Sequence, residues 1–439
     1  MSAVFFRDLH QDYPVAASAS GMYIQDETGK RYLDMCGGAA VSALGHQHPE
    51  VIATLQEQIR TMAYAHTGFF SNQPQEKLAE ALTSRFREDG AKVYFSSSGS
   101  EANETALKLA WQYWKSKGFS GKTKIISREH SYHGNTLGAL SVSGNLARRK
   151  PMDDLLLDWP RIPSCYPFRY QKDGESDLEY GARAAGYLEE AILEAGPDTV
   201  AAFIAEPVVG ASLGAVTAST GYFQKIREIC DRYDVLLIAD EVMCGTGRTG
   251  TFYAHEQENF TPDIVTLAKG IGGGYQPLAA TLARRHLVDH FSRPGNIFDH
   301  GHTYVGHASS CAVGMAVVDA IEKYQLLGSV KVMGDRLQTA LTEQFRDHPH
   351  IGDIRGRGLL RALELISDND NQTPINSTPP LAKAIRNSAM DHGLLCYPSD
   401  GSENNGSHIL LAPPFILEDR HIDEMVNKLR SVLTEVTGV

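Results

Sequence analysis

The stretch "DIVTLAKGIGGGYQP", residues 263–277, sets an apolar strand directly against a lysine. Ile264, Val265, Leu267 and Ala268 form a short run, β-branched at its start, that reads as a buried strand. Such strands seldom end in an unpartnered lysine, because taking an ammonium out of water is costly. Lys269 ends this one. Gly270, Gly272, Gly273 and Gly274 follow it and let the backbone turn sharply or approach another group closely. Two readings of Lys269 stand at this point. It either snorkels out of the strand end into solvent, or it is held in a pocket where a lowered pKa makes it a nucleophile.

Working outward, strand-like and helix-like stretches alternate: "KVYFSSSG", "NETALKLAWQYW", "KTKIISREH", "TVAAFIAEPVVG", "GYFQKIREICDRYD", "VLLIADEV" and "DIVTLAKG". Alternation of this kind predicts an α/β fold with a mostly parallel sheet covered by helices on both faces. Ahead of it, "GMYIQDETGKRYLDM" reads as a hairpin turning at Asp26–Gly29. "NQPQEKLAEALTSRF" places Leu78, Leu82 and Phe86 on one helical face. After about residue 326 the pattern changes, from "HPHIGDIRGRGLLRALEL" to the helix-like ending "DRHIDEMVNKLRSVLTEV", which predicts a second, smaller domain. Within it "SDNDNQTPINSTPP" reads as a polar loop.

The charge balance, 41 Lys and Arg against 53 Asp and Glu, gives a formal net charge of -12 and argues against a nucleic-acid backbone as partner. No apolar run approaches the ~20 residues that span a bilayer, so no membrane partner is expected. The charged start "MSAVFFRDLHQDYP" shows no signal-peptide pattern. Six scattered cysteines without a CxxC pair predict neither zinc nor disulfides and suit a reducing cytoplasm. His46/His48, His300/His302 and His348/His350 are each one residue apart, but no carboxylate or cysteine cluster accompanies them, so no metal is expected. "GTGRTG", residues 245–250, matches G-x-G-x-x-G by letter. The "TGTFYAHEQ" that follows is a poor helix start, so the dinucleotide reading lacks its context.

In sheets of this class ligands sit beyond the carboxyl ends of the strands, and four strand ends carry unusual residues. "KVYFSSSGSEANETALKLA" runs through Ser98, Gly99 and Ser100 into a helix. Ser98 and Glu101 fit a capping box, while the same turn offers free amides to an anion. "FIAEPVVG" ends in Glu206 and "LLIADEV" in Asp240-Glu241, acids that are either caps or partnered buried carboxylates. Asp240 and Lys269, on two strand ends, are able to face one cleft. Tyr132-His133-Gly134 follows a further strand.

Taken together, "SSSGSEANETALKLA", "SYHGNTLGA", "AEPVVGA", "ADEVMCGTGRTG", "TLAKGIGGGYQP" and "GHTYVGH" resemble, in order and spacing, the motifs of the class III aminotransferases. The resemblance extends from "KRYLDMCGGAAVSALGHQHPEV" to "LLAPPFI". It implies a fold-type I pyridoxal-phosphate transferase: residues 1–50 join a small α+β domain at 326–439, and 51–325 form the large cofactor-binding domain. It implies pyridoxal 5′-phosphate as cofactor, with Lys269 as the Schiff-base lysine and proton carrier and Asp240 paired with the pyridine nitrogen. Val242 and Tyr132 would pack on the two ring faces, and Ser98, Gly99 and Ser100 would hold the phosphate. Thr303 would reach the phosphate of a neighbouring subunit, so a homodimer with shared sites is expected. Glu206 would lie near cofactor and substrate. The implied reaction is a ping-pong transfer of an amino group from a small-molecule amine or amino-acid donor to a keto acid such as pyruvate or 2-oxoglutarate. A decarboxylating transaminase, aminomutase or racemase on the same scaffold is the alternative. A non-catalytic binding protein is disfavoured by the intact Lys269 and Asp240.

The match departs at substrate recognition. Several family members carry an arginine just before "APP", or in the loop ahead of it, to clamp a carboxylate. Here "SHILLAPPFI" has Leu410 and Leu411, and the preceding "YPSDGSENNGSH" contains no arginine. Arg357 and Arg361 are near in sequence, and either could be structural. Ala39 and Ala40 stand where some ω-transaminases place an aromatic, and Phe69, Phe70 and Tyr397 are candidate apolar walls.

Overall fold

The computed structural model describes residues 2–86, 88–367, 375, 380–401 and 407–439. The polar loop expected at 367–380 lies, apart from 367, 375 and 380, outside them. The chain opens with an antiparallel meander, β1 (Ala16–Ser20), β2 (Tyr23–Asp26) and β3 (Arg31–Asp34). The hairpin expected at Asp26–Gly29 joins β2 to β3, with Ile24 opposite Tyr32. Asp26 fixes the turn, its Oδ1 accepting from the Thr28 and Lys30 amides at 2.9 and 3.0 Å.

Next come β4 (Lys92–Ser96), β5 (Lys124–Arg128), β6 (Arg161–Ile162) and β7 (Val200–Ala205). A short ribbon, β8 (Val208–Val209) and β9 (Val216–Thr217), precedes β10 (Leu236–Asp240), β11 (Ile264–Leu267) and β12 (Ala279–Ala283). The main sheet has the order β4-β12-β11-β10-β7-β5-β6. β10 runs parallel to both β11 and β7, and β5 is parallel to both β7 and β6. β12 is antiparallel to β11 and to β4, so β4 points the same way as β11. The alternation predicted from sequence is therefore present, with one reversed strand added.

The sheet is covered on both faces because its strands alternate two apolar sets. Phe203, Ala205, Leu237, Ala239, Val265 and Leu267 pack with the helices Gln73–Arg85, Asp177–Ala195 and Tyr222–Arg232. Ala202, Ile204, Leu236, Ile238 and Ile264 pack with the helix Gly99–Ser116 on the other side. Adjacent residues point to opposite faces of a strand, which is why continuous apolar runs such as "VAAFIA" read as doubly covered.

The last third holds β13 (Ile351–Arg357), β14 (Leu360–Leu365), β15 (Leu394–Leu395), β16 (Tyr397–Ser399) and β17 (Ser407–Leu411). β13, β14, β17 and β16 form an antiparallel sheet, and β15 instead extends the meander by pairing parallel with β3. The expected C-terminal helix spans Asp419–Thr437. The "GTGRTG" stretch is a run of turns, in which buried Arg248 donates to the carbonyls of Leu359 and Pro413.

A charged cluster ties this small sheet to the segment after β6 and to the β8–β9 loop. Glu364 on β14, 1% exposed, accepts from Tyr166 Oη, Arg169 Nη2 and Arg355 Nη2, each at 2.6 Å. Arg355 also donates to the carbonyls of Leu213 and Gly214 in the β8–β9 loop. Burial pushes the Glu364 carboxyl up, but Arg355, Tyr166 and Arg169 outweigh it and hold the carboxyl below its usual range. The stability this contributes is present above the unfolded carboxyl pKa of about 4.3 and is lost as pH falls through the lower folded value. Replacing Glu364 by alanine should cost about 3–5 kcal/mol, because it removes the buried carboxylate that Tyr166, Arg169 and Arg355 all bond. Denaturant unfolding of the variant checks this, and a loss under about 1 kcal/mol would mean that water screens the cluster.

Candidate active site

Because β4, β5, β7, β10 and β11 run the same way, their carboxyl ends share one edge of the sheet, and a cavity of about 730 Å³ opens there. Its lining includes Ser98, Gly99, Ser100, Tyr132, Glu206, Asp240, Val242 and Lys269. Residues singled out after five strands are thus brought together, while Thr303 lies elsewhere. β10 and β11 are neighbours, with Asp240 opposite Thr266. That register puts Asp240 and Lys269 side by side at the cavity floor.

Lys269 is half-buried and its backbone lies in the left-handed region, φ 49°. A side-chain-bearing residue there costs roughly 1–2 kcal/mol, and such strain concentrates at functional positions. Burial pulls the ammonium below its usual pKa, while Asp240 and Glu206 oppose this without cancelling it. Among the described residues no hydrogen-bond or ion-pair partner holds Nζ. The snorkelling reading therefore gives way to that of a pocketed amine.

Asp240 is 2% exposed and oriented by three donors. Its Oδ2 accepts from His133 Nδ1 at 2.7 Å and Asn103 Nδ2 at 2.8 Å, and its Oδ1 accepts from the Val242 amide at 3.0 Å. Val242 is not on the strand. It lies past the end of β10, in a turn closed by that last hydrogen bond. Asn103 also donates to the His133 carbonyl at 2.6 Å and accepts from Thr266 Oγ1 at 2.8 Å, joining three elements behind Asp240. Sequence reasoning assigns roles to neither Asn103 nor His133. The available signals are an asparagine between Ala102 and Ala106 on an apolar helix face, and the adjacency of His133 to Tyr132.

The turn at Ser98 caps its helix, though Glu101 reaches back to the Ser97 amide and not to that of Ser98, and it leaves amides free. Ser98 Oγ accepts from the Glu101 amide at 3.3 Å, and Glu101 Oε2 accepts from the Ser97 amide at 2.7 Å. Helical bonding by the Ala102 amide starts at the Ser98 carbonyl, so the amides of Gly99 and Ser100 remain for another acceptor. Packing there is tight: a β-carbon on Gly99 would come 2.6 Å from Val242 Cγ1, and one on Gly134 would come 2.6 Å from Ser100 Oγ.

Glu206 Oε1 accepts from the Gly210 amide at 3.2 Å, and burial raises its pKa above the usual carboxylate range. Its Oε2 is buried without a partner, as is His133 Nε2. Ala39 and Tyr397 line the cavity as expected, but Phe69 and Phe70 do not. These two are 82% and 66% exposed, because the 65–71 segment turns away from the chain's own cavity. Arg357 pairs with Glu258 at 2.6 Å, and Arg361 donates to the Gly356 and Gly358 carbonyls and to Gln338. Neither reaches the cavity. Thr303 is exposed and outside the cavity, its carbonyl accepting from Tyr64 Oη at 2.9 Å. No group of three or more His, Cys, Asp or Glu able to hold a metal occurs among the described residues, and no described helix is long and apolar enough to cross a membrane.

A family model described as aminotransferase class-III matches residues 7–433. An uncharacterized aminotransferase of Schizosaccharomyces pombe is 40% identical over 438 residues, covering 99% of this chain and 95% of that protein. Gamma aminobutyrate transaminase 3, chloroplastic, of Solanum lycopersicum is 36% identical over 430 residues, covering 96% of this chain and 80% of that protein. The crystal structure of the omega transaminase from Pseudomonas jessenii in complex with PMP superposes with a TM-score of 0.91 at 31% identity, covering 99% of this chain and 97% of that one. With the match spanning nearly the whole chain, this protein belongs to the class III aminotransferases, enzymes that use pyridoxal 5′-phosphate.

Proposed function

We propose that Lys269 is the residue that would hold pyridoxal 5′-phosphate covalently in this cavity, its amine replacing the cofactor's aldehyde oxygen, which would leave as water, and that turnover is ping-pong, one site serving donor and acceptor in turn. The observation that carries the reading is the pairing of a pocketed lysine with a triply bonded aspartate on adjacent parallel strands. The cavity suits the cofactor in other respects too. Two uncommitted helix-start amides meet a phosphate's need for donors, and the buried unpartnered Glu206 Oε2 and His133 Nε2 mark a floor built for a polar occupant.

When bound, the cofactor supplies an electron sink for negative charge at the amine-bearing carbon. Asp240, oriented by Asn103, His133 and the Val242 amide, would hold the proton on the pyridine nitrogen. Val242 and Tyr132 would confine the ring, and Ser98, Gly99 and Ser100 would bind the phosphate. Lys269, whose ammonium burial disfavours, would carry the proton to and from the substrate carbon. Glu206 faces the substrate side. An ω-amino acid or simple amine as donor is supported by relatives named gamma aminobutyrate transaminases, with pyruvate or 2-oxoglutarate as acceptor. The test is an amine-donor panel with holoenzyme and no acceptor. One carbonyl product per active site supports the reading, whereas carbon dioxide release or racemised donor would move the assignment to another reaction of the cofactor.

We further infer a homodimer with shared sites, in which Thr303 binds the phosphate held by the partner subunit. Support comes from its place: exposed, outside its own cavity, on a loop whose Tyr304 and His307 line a second hollow that shares Ser97, Gln276 and Pro277 with the main one. Replacing Thr303 by alanine should weaken cofactor binding by about 1.5–3 kcal/mol, one hydrogen bond to a charged group. Apo protein should also dissociate at higher concentration than holo protein, since the cofactor favours the assembled state. Sedimentation over a dilution series checks both, and a fully active monomer would sink the shared site. The pairing of β15 with β3, and an apolar core joining Met22, Leu33 and Met35 to Leu394, Ile422 and Met425, support residues 1–50 and 326–439 as one body beside 51–325. Six free cysteines support a cytoplasmic setting.

A further inference from the structure

The cavity has a cationic corner that the chemistry above does not use. A keto-acid acceptor brings a carboxylate into a site already lined by Glu206, Asp240 and Asp400, so a positive partner is needed to offset the repulsion. The arginines of the C-terminal sheet cannot supply it. Arg355 is held by Glu364, Asp353 and two carbonyls, Arg357 by Glu258, and Arg361 by two carbonyls and Gln338. Two more buried arginines are equally committed, Arg248 to Leu359 and Pro413 and Arg128 to the Glu206 carbonyl. Besides Lys269, the cations that line the cavity are Arg7 and Arg148.

We propose that Arg148 receives the carboxylate of the keto-acid or amino-acid substrate. This inference rests on the reading of the cavity as a transaminase site. The backbone at Arg148 is pinned from both sides. Asn145 Oδ1 accepts from the Arg148 amide at 3.2 Å, and buried Arg149 donates to the carbonyls of Leu140, Ser141 and Ser143. Arg149 thus acts as a staple that fixes the turn and leaves its neighbour facing the cavity. The Arg148 guanidinium lies over the Tyr132 ring, 5.1 Å from its centroid. Stacking uses the π-face of the guanidinium and leaves its N–H edges for a bidentate carboxylate. No acidic side chain pairs with Arg148 among the described residues. Arg7, by contrast, is exposed in an irregular N-terminal stretch and is not held in place.

The test compares pyruvate with butanal as acceptor in wild-type, Arg148→Ala and Arg148→Lys holoenzymes, beside calorimetric titration of each with glutarate, an unreactive carboxylate. In Arg148→Ala the pyruvate-to-butanal ratio of kcat/KM should fall roughly 10- to 150-fold, the worth of hydrogen bonds to a charged group. Glutarate binding should weaken in parallel, and Arg148→Lys should regain part of both, since charge returns without the fork. Equal losses with pyruvate and butanal, or glutarate affinity the same in wild type and Arg148→Ala, would overturn the assignment. If wild-type enzyme converts neither acceptor, pyruvate falls as the acceptor, and the glutarate titration still decides the role of Arg148.

Discussion

Replacing Lys269 by alanine should abolish multiple-turnover transamination, with activity down at least about a thousandfold. No other side chain in the cavity can stand in. Arg7 and Arg148 carry guanidinium groups that do not give up a proton, and no second lysine lines the site. The fold should survive the change. Alanine and lysine bear the same penalty at φ 49°, so the backbone strain is unaltered. Stability without cofactor should even rise. The folded-state pKa of Lys269 is lowered, so folding disfavours the charged form: the cost is full below the folded pKa, shrinks as pH climbs through it, and is gone above the unfolded value of about 10.4. Borohydride reduction followed by intact-protein mass measurement gives the direct readout. Wild-type protein should keep the cofactor mass and the variant should not. Turnover above about 1% of wild type would remove Lys269 from the covalent role.

The Asp240→Asn variant should keep its cofactor but slow the half-reaction at least about 100-fold, comparable to losing one preorganised electrostatic contact in a buried site. A neutral amide cannot hold the proton on the pyridine nitrogen. The structure adds a second cost. Asp240 accepts from Asn103, His133 and the Val242 amide through both oxygens, and an asparagine has only one acceptor oxygen. One of those donors must then face an NH₂ group, which should cost about 1–3 kcal/mol of stability. Rapid mixing of each holoenzyme with an accepted amine measures the first effect and thermal unfolding the second. A half-reaction as fast as wild type with every amine would leave Asp240 a purely structural residue.

Much of this site is legible in the amino-acid sequence, for a definite reason. "VAAFIA", "LLIAD" and "IVTL" are apolar on both strand faces, which only a doubly covered sheet can bury, and in such a sheet the chemistry sits where parallel strands end. The residues at those ends therefore point to Glu206, Asp240, Lys269 and the Ser98 turn. Phe69 and Phe70 lie outside the chain's own cavity, which an aromatic pair in a loop cannot signal, since it carries no periodicity to say which way it faces. The reversed β12 carries little signal of its own, since an antiparallel insertion depends on its neighbours' free edges more than on its own residues.

By itself the sequence determined the order of strands and helices and the side chains at the strand ends, because local pattern and residue type suffice for both. Only the tertiary structure decided which of those side chains are partnered. The groups that orient Asp240 lie 107 and 137 residues away, at His133 and Asn103. The commitments of Arg355 to Gly214 and of Arg357 to Glu258 span 141 and 99 residues. A hydrogen bond or ion pair forms between atoms within about 3–4 Å whatever their separation along the chain. Whether an arginine is spent on the fold or left for a substrate is therefore settled by packing, and that is what singles out Arg148.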